Sequence, residues 1–201
     1  VVLSPLLSGV ADYSGNKKGF LQFFAYMGSL ACMGLFFFDG EQVYLGLILS
    51  IIASVGFWAS LVYYNAFLPE IASPDEQDRL SAKGFTLGYI GSATLLILNL
   101  VLVTFPEVFG FADTGSATRF GFLLTGIWWI GFAQITFRRL PVNVHHRKPK
   151  ESGYLWQGFR ELKAVVKIIS ENPRLKVYLY SFFFFSVGVQ TVILLASLFG
   201  S

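Results

Sequence analysis

The sequence predicts an all-α membrane protein, and three observations carry that prediction. Charged residues make up 13% of the chain and apolar ones 54%, where a soluble domain carries about 25% charge. The mean hydropathy is +0.60, and Phe alone appears 22 times. Uncharged runs of roughly 18 to 26 residues recur along the chain, each long enough for a helix to cross a hydrocarbon core about 30 Å thick. The connections between these runs alternate in charge, as a multi-pass topology requires. The runs are continuous, which favours helices over the alternating pattern of a barrel.

Val1–Ala11 is uncharged and reads as the end of a span, so the chain is expected to be about half of a longer protein. A polar hinge follows, Asp12-Tyr13-Ser14-Gly15-Asn16-Lys17-Lys18. Five complete runs come after it: Gly19–Phe38, Val43–Leu68, Gly84–Pro106, Phe120–Phe137 and Val177–Ser201. One side of the membrane then holds the Asp12–Lys18 hinge, the Glu70–Lys83 loop and the Arg138–Lys176 segment. The other side holds Asp39–Gln42 and Glu107–Arg119. Of the 15 Lys and Arg, all but Arg119 fall on the first side, which the positive-inside rule makes cytoplasmic.

Two features are expected on that side. Ser73-Pro74-Asp75-Glu76 reads as a helix start, with Ser73 as N-cap, Pro74 at N1 and Glu76 completing a capping box; a short helix to about Leu80 should follow. Ser152–Asn172 places Leu155, Phe159, Leu162, Val166 and Ile169 at helical spacing, with Arg160, Lys163 and Lys167 largely off that stripe. It reads as an amphipathic helix at the membrane surface, ended by Pro173.

The function classes narrow by exclusion. The single Cys32 allows no disulfide framework. The His145-His146 pair lies on a basic linker without the i, i+4 spacing of a helical metal site, so no metal is expected. Topology accounts for the basic charge, so no nucleic-acid partner is expected. No P-loop, nucleophile-elbow or zincin pattern is present, and the spans carry no carboxylate, His or basic residue at depth. The expected class is a non-enzyme without cofactors. Its expected partner is the bilayer.

The hinge points further. Asp12, Gly15, Lys17 and Lys18 resemble the loop between the second and third helices of major facilitator superfamily transporters. The first Gly of that motif departs: Ser8 holds its position, and Gly9 lies one residue later. Tyr64-Asn65-Ala66-Phe67-Leu68-Pro69-Glu70-Ile71, then Ser81, Gly84, Gly88, Tyr89 and Gly91, then Gly188-Val189-Gln190-Thr191-Val192, resemble the autophagy-related vacuolar effluxer family within that superfamily, in its prokaryotic branch. Val187 stands where members often carry an acid. The resemblance implies a partial superfamily bundle, from the end of helix two through helix seven. Residues 1–137 would form an N-terminal transmembrane half lacking its first helix. Residues 138–176 would form the cytoplasmic linker, and 177–201 the first helix of the other half. It implies export of a small solute, coupled to a proton or ion, with amino acids the substrates named for vacuolar members, from a multi-pass protein of a prokaryotic plasma (inner) membrane. A non-transporting scaffold or sensor on the same fold is the alternative.

Within that frame Asp12 is expected to gate, contacting a helix N-terminus of the other half, and Lys17 and Lys18 to act as gate partners or topology anchors. Gly84, Gly88 and Gly91 read as a small-residue face for helix contact, sliding or static. Gln190, Thr191 and Asn99 are candidates for substrate contact or interhelical hydrogen bonding. Trp58 would stack on a substrate or fill a packing gap. Tyr64, Asn65, Pro69 and Glu70 form the family signature, and Tyr63, Tyr64 and Asn65 lie near the cytoplasmic helix end. Trp128 and Trp129 would pack or face lipid.

Overall fold

The computed structural model describes residues 16–141 and 169–199, all of it helix, turn or short connection. Helix α1 (Lys17–Gly34) begins where the Asn16 side-chain oxygen accepts the Gly19 N–H at 3.1 Å, and it tightens into a 3-10 turn at Leu35–Phe37. Helix α2 (Val43–Ala66) runs into the one-turn α3 (Leu68–Ile71), which carries Pro69 and Glu70. Helix α4 spans Pro74–Thr104, α5 spans Thr114–Arg139, and α6 spans Pro173–Phe199. Helices α1, α2, α4 and α5 are long and apolar enough to cross a membrane. The amphipathic Ser152–Asn172 segment lies almost entirely outside the described residues.

Two local expectations need correction. The sequence suggests a short helix to Leu80 and a new span from Gly84, but α4 is one helix of 31 residues. Nothing from Ser81 to Gly84 breaks it, since a lone helical Gly costs only about 1 kcal/mol. At 1.5 Å per residue α4 is about 46 Å long, so its charged first turns extend beyond the hydrocarbon core. Ser73 is the N-cap and Pro74 opens the helix, yet no capping box forms: Ser73 Oγ donates to Glu76 Oε2 at 2.9 Å.

A capping box forms instead at the start of α5. Asp113 Oδ1 accepts the Ser116 N–H at 2.6 Å, and Ser116 Oγ accepts the Asp113 N–H at 3.3 Å. The Ser116 backbone bond, then its hydroxyl, and the nearby Arg119 charge lower the Asp113 pKa below the usual carboxylate range. A depressed folded pKa means that the contribution is present above the unfolded pKa and lost as pH falls through the folded value. Melting curves in detergent from neutral to strongly acidic pH should show that limb in the parent protein and a shallower one in Asp113→Asn, which keeps the cap without the charge. Parallel curves would contradict the assignment.

Helix α1 is the centre of the packing, lying along α2 on one side and α5 on the other, while α4 packs on α5. Helix α6 makes none of the principal helix–helix contacts among the described residues. Backbones approach closely at Gly56 of α2: a Cβ there would stand 2.5 Å from Gly28 Cα and 2.7 Å from Gly28 N. Gly126 of α5 meets α1 in the same way, with a Cβ 2.7 Å from the Ser29 carbonyl oxygen and against Met33. Trp129 closes over Gly28. Elsewhere large apolar side chains stay exposed: Leu87 at 70% and Leu96 at 69% on α4, Phe184 and Phe185 at 70% on α6. Such surface suits a hydrocarbon environment.

The topology gathers charges into two sets. The starts of α1 and α4 and the ends of α2, α3 and α5 bring Lys17, Lys18, Arg79, Lys83, Arg138 and Arg139 to one end, with Glu70, Asp75, Glu76 and Asp78 among them. Asp39, Glu41, Glu107, Asp113 and Arg119 belong to the connections at the other.

Candidate functional site

The basic end is built around Lys17 and Lys18. The Asn16 cap puts both lysines in the first turn of α1, where cations face the positive end of the helix dipole at a cost of about 0.3–1 kcal/mol each. Each finds an acceptor on another element. Lys17 Nζ pairs with Glu70 Oε1 of α3 at 2.7 Å. Lys18 Nζ donates to the Leu140 carbonyl at 2.9 Å. Leu140 is the C-cap of α5, so this bond occupies a carbonyl at the negative end of that helix. Two adjacent lysines therefore tie the start of α1 to the ends of α2–α3 and α5.

Beneath the ion pair lies the main apolar cluster. Leu21, Ala25, Tyr63, Phe67 and Phe137 are buried, with Phe20, Phe24, Tyr26, Ala133 and Leu140 packed on them. The fully buried Tyr63 ring stacks on Phe20 at 5.5 Å and on Phe24 at 5.7 Å. Tyr63 Oη has no hydrogen-bond partner among the described residues, so stacking positions the ring. Tyr26 packs edge-on to Phe137, and its Oη accepts from Gln134 Nε2 at 2.8 Å. The side chains of Lys17 and Glu70 are 20% and 15% exposed, partly desolvated over this cluster. The arrangement is an ionic latch over an aromatic cluster at one end of the helix bundle.

A model of the family described as "Vacuole effluxer Atg22 like" matches residues 1–201. The chain belongs to that family. It is 30% identical over 203 residues to a Bacillus subtilis protein called "Uncharacterized MFS-type transporter YxiO", covering 100% of this chain and 46% of that one. It is 27% identical over 260 residues to "Autophagy-related protein 22-1" of Penicillium rubens, covering 92% and 43%. It is 26% identical over 264 residues to "Autophagy-related protein 22-2" of Neosartorya fischeri, covering 92% and 42%. The chain thus spans about half the length of the curated relatives it matches. No solved structure matches it. Membership accords with the helical bundle and makes the chain part of a multi-pass membrane protein.

In this effluxer-like chain the latch joins two stretches that sequence alone treated separately, Lys17 from the hinge and Glu70 from the signature run. Asp12 and Gly15 lie outside the described residues. Tyr64 Oη approaches α4: a Cβ on Gly84 would stand 3.1 Å from it. Asn65 and Pro69 are exposed beside the latch. Among the described residues no neighbour lies within 4 Å of a Cβ placed on Gly88 or Gly91, so α4 makes its described contacts elsewhere.

The other candidates are scattered. Trp58 is 57% exposed on α2, edge-on to Phe57. Thr191 Oγ1 donates to the Val187 carbonyl of its own helix at 2.8 Å, and the Gln190 side chain lies outside the described residues. Asn99 bridges helices: its Nδ2 donates to Leu95 O at 3.1 Å and to Thr125 Oγ1 of α5 at 3.4 Å, and its Oδ1 abuts Gly121. Replacing Asn99 with Leu should cost about 0.6–2 kcal/mol and loosen α4 from α5, which a thermal melt in detergent would read. A melt unchanged by that substitution would remove the bridging role.

Sequence reasoning missed Gly28, Gly56, Gly126 and the Tyr26–Gln134 pair. Their only signal was a small or polar residue inside an apolar run, which does not say what it faces.

Proposed function

We propose that the full-length protein is a secondary transporter that exports a small solute by alternating access, with amino acids as the substrate class. Family membership and the superfamily name carried by the Bacillus relative support this reading. The observation that carries it is the Lys17–Glu70 pair at 2.7 Å over the Tyr63 stack. Alternating access needs halves that rock as bodies about a central site. The two lysine bonds make the end of this half such a body, because three helix ends are cross-tied there. By the positive-inside rule that end is cytoplasmic. Asp12 would then contact the other half from the adjoining hinge, and exposed Trp58 would face the cavity between the halves.

The test is flux. Full-length protein reconstituted in vesicles should exchange at least one labelled amino acid or dipeptide above protein-free vesicles, and faster under an imposed proton gradient if protons couple. Folded protein that moves none of a complete amino-acid panel would favour the scaffold or sensor reading instead.

A further inference from the structure

The outward face of α5 ends in an arrangement that the transport reading leaves unused. Arg138 and Arg139 form its last turn, both are exposed, and neither has an acidic partner among the described residues. Lys18 Nζ is held by the Leu140 carbonyl on the core-facing side, so the two guanidinium groups are the cations of the outward stripe. No acidic residue occurs anywhere in Thr114–Arg139. Further along the same face stand Ile135 at 59% exposure, Phe132 at 55%, Gly131 and Trp128. The spacing 128, 131–132, 135, 138–139 is a single helical stripe. Trp128 and Phe132 pair at 4.9 Å. A Cβ on Gly131 would meet nothing within 4 Å, which leaves a shallow channel between that pair and Ile135.

We propose that this stripe binds an anionic phospholipid, with the phosphate on Arg138 and Arg139 and one acyl chain along Gly131. The levels match: seven residues of helix separate Gly131 from Arg138 by about 10 Å, the depth over which a lipid passes from headgroup to upper acyl chain. Guanidinium forks suit phosphate oxygens better than ammonium groups do. A zwitterionic headgroup presents the same phosphate but brings a positive group against two arginines, so a net anionic lipid is favoured. The inference rests on the membrane location of the family bundle and is independent of what the protein transports.

The experiment titrates full-length protein in neutral detergent with phosphatidylglycerol or phosphatidylcholine, reading bound lipid by native mass spectrometry and stability by thermal melt. The parent protein should retain phosphatidylglycerol preferentially. The R138Q/R139Q variant should bind it about 30-fold more weakly, as expected for two surface cations. A variant at the start of α6, R174Q/K176Q, should bind it normally. Gly131→Leu, which fills the channel and keeps both arginines, should weaken binding at least fivefold and stands in if the arginine variant does not fold. Three results would overturn the proposal: phosphatidylglycerol binding within twofold of the parent in both α5 variants, an equal loss in R174Q/K176Q, or displacement of the lipid by millimolar glycerol phosphate.

Discussion

Replacing Gly56 with Val is expected to cost the bundle about 3 kcal/mol or more and to remove most folded protein from detergent extracts. The reason is what a side chain there would meet. The nearest atoms are backbone, Gly28 Cα at 2.5 Å, Gly28 N at 2.7 Å and the Phe24 carbonyl oxygen at 2.8 Å, and backbone cannot rotate out of the way. Only separation of α1 from α2 makes room, and that opens the Trp129 packing over Gly28 as well. The sign is opposite at an open helical glycine. There Ala gains about 0.5–1 kcal/mol through backbone entropy, so Gly88→Ala should be neutral or stabilising. Size-exclusion profiles and melts of the two variants, run together, decide it. A Gly56→Val protein as stable as Gly88→Ala would show that the α1–α2 crossing is not the close approach described.

The second large effect is expected at the latch. Lys17→Met leaves Glu70 without its cation over an apolar cluster, and Glu70→Gln removes the carboxylate 2.7 Å from Lys17. Removing one partner of a desolvated pair costs more than the pair contributes, because the survivor keeps its desolvation penalty. Each single variant should lose about 1–3 kcal/mol. Lys18→Met should lose less, since the Leu140 carbonyl is neutral and can take a water instead. If the latch makes the half move as one body, flux should fall in both Lys17 and Glu70 variants even at temperatures where they stay folded. Thermal melts give the first quantity and vesicle flux the second.

The spans were legible because charge is forbidden at depth, and charge is readable residue by residue. The sequence places α1 and α2 to within a few residues and starts α5 six residues late, at Phe120 instead of Thr114. It splits α4, because the charges of Pro74–Lys83 read as a separate short cytoplasmic helix when one helix in fact continues out of the hydrocarbon. The hinge and signature run were legible as motifs, but their union was not. Lys17 and Glu70 lie 53 residues apart, and no local pattern records which lysine turns toward which helix end. The glycines failed for the same reason. Gly84, Gly88 and Gly91 share a spacing, yet contact is decided by the facing helix, and the tight approaches fell at Gly28, Gly56 and Gly126. Asn99 was legible as a residue needing a partner, and the structure supplies Thr125.

The most direct test of the latch is charge exchange. Full-length protein carrying Lys17→Glu together with Glu70→Lys restores an ion pair of reversed polarity between the same two positions, and places an acid at the N-terminal end of α1 where the dipole favours it. The double variant should recover most of the stability and flux that each single reversal loses, with a coupling of about 1–3 kcal/mol between the sites. Losses that simply add, with no recovery in the double variant, would contradict the claim that these residues act as a pair.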